Sequence, residues 1–191
     1  LGATTISGSG LAEVTEHSGS YTTGAMASAT KLALSPRETP QSVSVVTRQR
    51  MDDQAMTTLG DAVKYTTGLT LTKWGGERER FNSRGFQLSN LMVDGIPVQY
   101  DEASLSTGLL SMYDRIEVVR GAAGLMEGAG SPGGSINLVR KRPTETFQGS
   151  ITAAAGSWDN YRGELDLSGP LNATGSLRGR TVLSLQDKNS F

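Results

Sequence analysis

From Phe147 onward, apolar and polar residues alternate along the chain. Gly163, Leu165 and Leu167 alternate with Arg162, Glu164, Asp166 and Ser168, beginning at Tyr161. Residues 147–153 and 177–185 repeat the pattern, imperfectly at Val182, and in all three runs the apolar set falls on odd numbers. A period of two sends successive side chains to opposite faces of a strand. Three strands with one apolar and one polar face are therefore expected. Each is roughly 9–11 residues long, the length of a tilted strand crossing a bilayer. The links, 157–160 and 170–176, are short and turn-like. Trp158 and Tyr161 stand at strand ends, where an interfacial aromatic belt would put them. The same period also describes a soluble antiparallel sheet with one wet face, and both readings stand at this point. Three strands close no barrel and an open apolar edge is a liability, so the chain reads as the front of a longer protein.

Before Phe147 the pattern is mixed. Residues 42–47, SVSVVT, form a β-rich run. Residues 58–61, TLGD, carry a capping box, with Leu59, Ala62 and Val63 on one helical face and Gly68 where such a helix would end. A strand is expected over 69–72. It leads into a glycine-containing charged loop, KWGGERERFNSRGF, and then two strands over 90–94 and 96–98 joined at the tight-turn pair Asp94-Gly95. Residues 99–112 read as a loop with room for one helical turn, and 115–120 and 136–140 as strands. Up to Pro143 the segment is a small mixed α+β domain. Residues 1–40, rich in Gly, Ser, Thr and Ala with no sustained period, read as a mobile or extended arm.

Composition narrows the picture. The chain has 191 residues with 24 glycines and a hydrophobic share of 36%, a balance that favours strands and turns over helices. Charges nearly cancel, 18 basic against 19 acidic, so nothing points to a nucleic-acid partner. The lack of cysteine removes disulfides, thiolate metal sites and cysteine nucleophiles. No apolar run approaches the length of a membrane-spanning helix, which excludes a helical membrane protein but not a β-barrel. The first residues, LGATTISGSG, show no basic stretch leading into an apolar one, so any export signal is expected to have been removed already.

Candidate chemistry is sparse. Residues 128–135, GAGSPGGS, fit the G-x-G-x-x-G fingerprint and almost fit the phosphate loop, with Gly134 where its lysine should be. Both motifs need a helix after the glycines. The next residues, SINLVRKRP, alternate and read as strand, and no acidic residue lies roughly twenty positions on to hold a ribose. The glycines are therefore expected to serve a tight connection. His17, the single histidine, lies in the arm, and no nucleophile elbow, zinc-protease or EF-hand spacing is present, so no catalytic or metal residues are assigned. The pairs Asp52-Asp53 and Glu164/Asp166 read as solvated carboxylates. In the charged loop, Trp74, Arg78, Arg80 and Arg84 interleave an aromatic platform with guanidinium groups, which suits an anionic or aromatic ligand. Solvent exposure with neutralisation by Glu77 and Glu79 is the alternative.

Three ordered segments, ETPQSVSVVTRQRMDDQ, NSRGFQLSNLMVDGIPV and YDRIEVVRGAAGLMEGAGSPGGSINLVRKRPT, resemble the plug domain of TonB-dependent outer-membrane receptors. The continuation GSWDNYRGELDLSGPL is similar to the first barrel strands of their ferric-siderophore branch, of ferripyoverdine type. The resemblance implies an α+β plug domain, a small mixed sheet with short helices, over 37–143. An arm over 1–36 would precede it, and the first antiparallel strands of a large transmembrane β-barrel, incomplete here, would come after it over 147–191. Odd-numbered residues from Phe147 would face outer-membrane lipid; Arg162, Glu164, Arg178 and Arg180 would face the lumen.

The same resemblance implies non-enzymatic import of a ferric siderophore with TonB-transmitted energy, the plug gating the barrel, and no tightly bound cofactor. Leu1, Gly2, Ala3, Thr4, Thr5, Ile6 and Ser7 are similar to a TonB box, the periplasmic strand that TonB would pair with. Arg84 of SRGF and Arg120 of VVRG match arginines that lock plug to barrel-wall glutamates, with Glu117 in the same charged cluster. By position, the loops 73–80 and 99–106 would be apical, which makes Trp74, Arg78, Arg80 and Tyr100 the ligand-contact candidates. Some receptors of the branch this chain resembles also carry a signalling domain that reports ligand binding to a sigma regulator, and such a domain would precede residue 1. Haem or cobalamin as cargo, or a soluble β-rich binding module, are the competing readings.

Overall fold

Strand alternation builds the central sheet. β1 (Ser42–Thr47), β7 (Tyr113–Arg120) and β8 (Gly134–Arg140) pair antiparallel, β5 (Asn90–Val93) runs parallel to β8, and β6 (Ile96–Gln99) folds back on β5. This computed structural model describes residues 14–75, 78–100, 108–122 and 131–189. The register aligns Val46 with Ile116 and Leu138, and Val118 with Ile136, on one face. Helices α1 (Arg48–Asp53) and α2 (Leu59–Lys64) cover that face with Met51, Leu59, Ala62 and Val63. The α2 start is the capping box read from TLGD: Thr58 Oγ1 accepts from Asp61 N, and the Asp61 carboxylate accepts from Thr58 N.

A second sheet consists of β2 (Leu69–Lys73), β3 (Glu79–Ser83) and β4 (Phe86–Gln87). Here the structure corrects the reading of KWGGERERFNSRGF as a loop. Glu79, Phe81 and Ser83 are buried while Arg80 and Asn82 are half-buried, so a strand alternation runs through the charged stretch, with Phe81 delivered to the core. Its one apolar residue stands between Arg80 and Asn82, with the charged Glu79 as the other large buried position, which hid the period. α1 was likewise unanticipated: RQRMDD carries one buried apolar residue, Met51, in under two turns, too short for a helical period to register.

A third sheet, an outer wall beside the first, has the order β11-β10-β9, formed by β9 (Gln148–Gly156), β10 (Asn160–Pro170) and β11 (Arg178–Asp187). Its register pairs odd with odd residues, Leu165 facing Ile151 on one side and Leu183 on the other. That apolar face is exposed, with Ile151 83% and Leu185 80% accessible. The even-numbered face turns toward Lys141 at the end of the central sheet and toward Glu16, and there Asp166 and Arg180 are nearly buried. No helix among the described residues is long and apolar enough to cross a membrane, which says nothing of strands.

The arm reading meets a different outcome from Val14 on. Thr15, Met26 and Ala29 are buried, Met26 and Ala29 against Val119 on the sheet face opposite the helices. The segment has almost no regular structure; short side-chain-to-backbone bonds such as Thr23 Oγ1 to Ala25 O and Thr39 Oγ1 to Ser35 O shape it instead. Such order has no hydropathy period. Residues 1–13, including the TonB-box candidate Leu1 to Ser7, lie outside the described residues, as do 76–77, 101–107 and 123–130. Of GAGSPGGS, Ser131 onward is described: a turn, then β8, as the strand reading expected. Gly134 has φ 113°, and a Cβ there would collide with the Val119 carbonyl, so only glycine lets β8 start this close to β7.

Candidate functional site: an arginine pair, a charged seam and an aromatic hairpin

SRGF is a two-residue turn. Ser83 pairs with Phe86, and the central residues Arg84 and Gly85 both have positive φ, 52° and 83°, the form that suits hairpin twist. This conformation carries Arg84 over Gly121, where an added Cβ would meet its guanidinium at 2.8 Å. Arg120, at the end of β7, lies on the helix-covered face with Ser42 and Ser44. It donates to Ser44 Oγ at 2.6 Å and to the Thr67 carbonyl at 2.5 Å, and its buried Nε has no partner among the described residues. Burial, and after it the nearby Arg84 charge, lower the Arg120 pKa from its usual value. Arg84 makes no hydrogen bond or ion pair among the described residues, and neither arginine meets a carboxylate there. Two like charges side by side, one half-buried, are costly without an acid.

Glu117 does not join them. Three positions from Arg120 on a strand, it points to the opposite face. There Oε1 accepts from Arg115 Nε at 2.7 Å, while Oε2 accepts from Ser28 Oγ at 2.5 Å and Ser28 N at 3.2 Å. Asn137 Nδ2 donates to the same Ser28 hydroxyl. Glu117 thus fastens the segment after Val14 to the sheet. The partner could have been read from the motif itself, since Arg115 and Glu117 stand two apart on one strand face.

A second charged cluster was missed as a unit. Glu16, Lys141, Asp166 and Arg180 meet where plug and wall touch, each side chain about nine-tenths buried. Arg180 binds both carboxylates, with Nη2 at 2.7 Å from Glu16 Oε1 and 2.6 Å from Asp166 Oδ2. Burial alone would raise the Glu16 pKa, but the hydrogen bond from Arg180 and the charges of Lys141 and Arg180 outweigh it and hold the group below the usual carboxylate range. Its members are 164 residues apart at the extreme, so no local spacing announces it.

The ligand-contact candidates divide. Trp74 and Arg80 come together at the turn end of the β2–β3 hairpin, beyond the Lys73–Glu79 pair, the guanidinium 4.9 Å from the ring centroid, and Trp74 N donates to the Arg78 carbonyl at 2.9 Å. Trp74 and Arg78 are exposed and Arg80 is half-buried. Tyr100 instead packs inward: its ring stacks on Phe81 at 5.7 Å and its hydroxyl donates to the Glu79 carbonyl at 2.7 Å. Two cavities, of roughly 490 and 870 Å3, lie at the seam between plug and wall, and none of Trp74, Arg78, Arg80 or Tyr100 lines either. No cluster of metal-ligating side chains occurs among the described residues.

A mixed sheet with helices on one face and an outward-apolar wall sheet attached to it define a class. The TonB-dependent Receptor Plug Domain family model matches residues 35–135, and the chain belongs to that family. Among its relatives, the ferripyoverdine receptor of Pseudomonas aeruginosa is 50% identical over 100% of this chain and 24% of its own length. The crystal structure of that organism's outer-membrane ferripyoverdine receptor bound to ferripyoverdine superposes with a TM-score of 0.89 at 49% identity, over 94% of this chain and 24% of that one. The alcaligin outer-membrane receptor of Bordetella pertussis gives a TM-score of 0.87 at 41% identity, over 94% of this chain and 32% of that one. The chain thus spans about a quarter of the length of these ferripyoverdine receptors.

Proposed function

We propose that the protein is the plug and first barrel strands of an outer-membrane receptor that binds a ferric siderophore of the pyoverdine class and imports it with energy transmitted by TonB. The observation that carries the reading is 50% identity to a ferripyoverdine receptor over the whole chain, plug and wall alike. Residues 37–143 act as the gate, and 147–191 begin the barrel wall around it. The apolar odd-numbered face of β9, β10 and β11 meets lipid, as the exposed Ile151 and Leu185 require in a membrane setting. Arg84 and Arg120 await wall carboxylates that belong to strands outside this chain; the unsatisfied Arg120 Nε supports that role. Glu117 is left out of the lock and given to the arm. Trp74, Arg78 and Arg80 offer a cation–aromatic surface to the anionic or aromatic parts of the ligand, while Tyr100 supports the hairpin from beneath.

TonB pairs with residues 1–7 by adding them as a strand, a mode in which main-chain hydrogen bonds supply the affinity. The test is uptake by cells carrying the full-length receptor with Thr4→Pro, since proline removes an N–H that strand pairing needs. Ferripyoverdine binding retained with uptake lost is the expected result. Unchanged uptake refutes the TonB-box assignment, and uptake of haem or cobalamin in place of ferripyoverdine refutes the cargo.

A further inference from the structure

Residues 15 and 16 are held by two bodies at once. Their backbone belongs to the plug: Thr15 N donates to both Asp114 carboxylate oxygens at 3.0 and 3.1 Å, and Glu16 N donates to Asp114 Oδ1 at 2.9 Å. Thr15 Oγ1 donates to the Asp114 carbonyl and accepts from Arg48 N, which ties the same point to the start of α1. The Glu16 side chain belongs to the wall: its two oxygens each lie 2.7 Å from an Arg180 nitrogen of β11, a bidentate pair. Arg180 Nε and Nη2 reach Asp166 of β10 at 2.8 and 2.6 Å, and Lys141 Nζ, one residue past β8, closes the ring at 2.9 Å from Asp166 and 3.4 Å from Glu16. Two acids and two bases leave the nearly dry cluster neutral. Thr15 is also the first buried residue among those described.

We propose that Thr15–Glu16 is a clasp that fastens the N-terminal arm to plug and barrel wall together, with Arg180 and Lys141 as positioning residues that set the load needed to free it. The use of the clasp in transport rests on the function proposed above; its existence does not. Tension applied to residues 1–13 meets the clasp before any strand of the central sheet. Ion pairs suit such a point better than apolar contacts. Separating Glu16 from Arg180 strands a buried charge, so the contact resists small displacements, yet water rescues both groups once the seam opens. Closing it again needs only the two partners to meet.

The experiment is hydrogen exchange on the purified full-length receptor in lipid, read at the amides of Thr15 and Glu16. Glu16→Gln, which keeps shape and removes the charge, is expected to speed exchange at both by about tenfold or more, leaving Val46 and Ile116 amides unchanged. Arg180→Gln should do the same, and the double variant should add little to either single change. Unchanged exchange at Thr15 and Glu16 overturns the clasp, because the Asp114 bonds would then hold alone. So do additive effects, or acceleration that spreads through β1 and β7. In cells, Glu16→Gln should keep ferripyoverdine binding and sustain uptake at TonB levels, titrated downward, where the parent's uptake has failed; an unchanged TonB requirement overturns the load-setting role. A parent receptor that takes up no ferripyoverdine sinks the transport reading and leaves the exchange result standing.

Discussion

The plug sheet and the wall sheet obey the same rule of alternation and apply it to opposite surroundings. In β7 and β8 the apolar residues Ile116, Val118, Ile136 and Leu138 turn inward under two helices and are essentially inaccessible. In β9, β10 and β11 the apolar residues Ile151, Leu183 and Leu185 turn outward, and the charged ones turn toward the plug. A protein surrounded by water on all sides would gain from reversing the second sheet, since each such leucine left in water forgoes about 1.5–3 kcal/mol of burial. A contiguous apolar face turned outward marks a surface that meets a membrane or a partner. Because the two sheets meet through Glu16, Lys141, Asp166 and Arg180, the interior of the molecule is polar at the place where an ordinary domain would be most hydrophobic.

The largest effect is expected on the plug side. Phe81 is 2% accessible, joins the β2–β3 hairpin to the helix-covered core and stacks on Tyr100. Phe81→Ala should cost about 3–5 kcal/mol, from lost burial plus the cavity left behind. Chemical unfolding of the full-length receptor, monitored by tryptophan fluorescence, measures it. A cost under about 1 kcal/mol, well below the range for such truncations, would mean that the hairpin is not anchored through this ring.

On the wall side, Leu183 sits mid-strand with its side chain outward, opposite Leu165. Leu183→Arg should destabilise the receptor in lipid vesicles by about 2–4 kcal/mol, the cost of a cation near the bilayer midplane. If the outer face met water, as in a soluble binding module, the same change would be neutral or mildly stabilising. The two readings of the alternation are thereby separated by one substitution and one unfolding curve.

Legibility in the sequence divides along the same line. Strands whose every second residue is apolar were legible on both sides, because period two survives whichever face is wet. β3 was not, since Phe81 is its single apolar residue and the buried partner of the pattern is Glu79, a carboxylate. The turns Asp94-Gly95 and Arg84-Gly85 are local chemistry; the first was read as a turn, the second only as part of a motif. Residues 14–40 failed for a physical reason: their order comes from isolated contacts, some local, such as Thr39 to Ser35, and some to distant groups, such as Ser28 to Glu117, and neither kind leaves a period. The candidate site shows the same limit. Arg84, Arg120 and Glu117 were all named by resemblance; the two arginines do lie together, while strand geometry sends Glu117 to the other face, onto Arg115 and Ser28. The Glu16 cluster joins four segments and had no local signature at all.

The smallest expected effect separates two halves of one local device. The Asp61 carboxylate accepts from Thr57 N, Thr57 Oγ1, Thr58 N and Thr58 Oγ1, at 3.2, 3.2, 3.1 and 2.9 Å, and Thr58 Oγ1 in turn caps the helix by accepting from Asp61 N. Burial would raise the Asp61 pKa, but these donors, the Thr58 hydroxyl first, hold it below the ordinary carboxylate value. A depressed folded pKa contributes stability that is complete above the unfolded value of about 3.9 and is lost as pH falls through the folded one. Thr58→Ala removes the cap and the strongest of the donors, so it should cost about 1 kcal/mol at neutral pH and weaken the acid dependence without abolishing it, since three donors remain. Asp61→Asn keeps the Thr58 cap but abolishes the titration, so the variant's deficit should shrink as the pH drops below about 4. Unfolding curves at pH 7 and at acid pH distinguish them. Identical pH slopes in parent and Asp61→Asn would show that the α2 cap adds nothing to the plug's acid sensitivity. That sensitivity would then fall to the seam, where Glu16 is also held low, with the Lys141 and Arg180 charges and the Asp166 and Asp114 carboxylates around it.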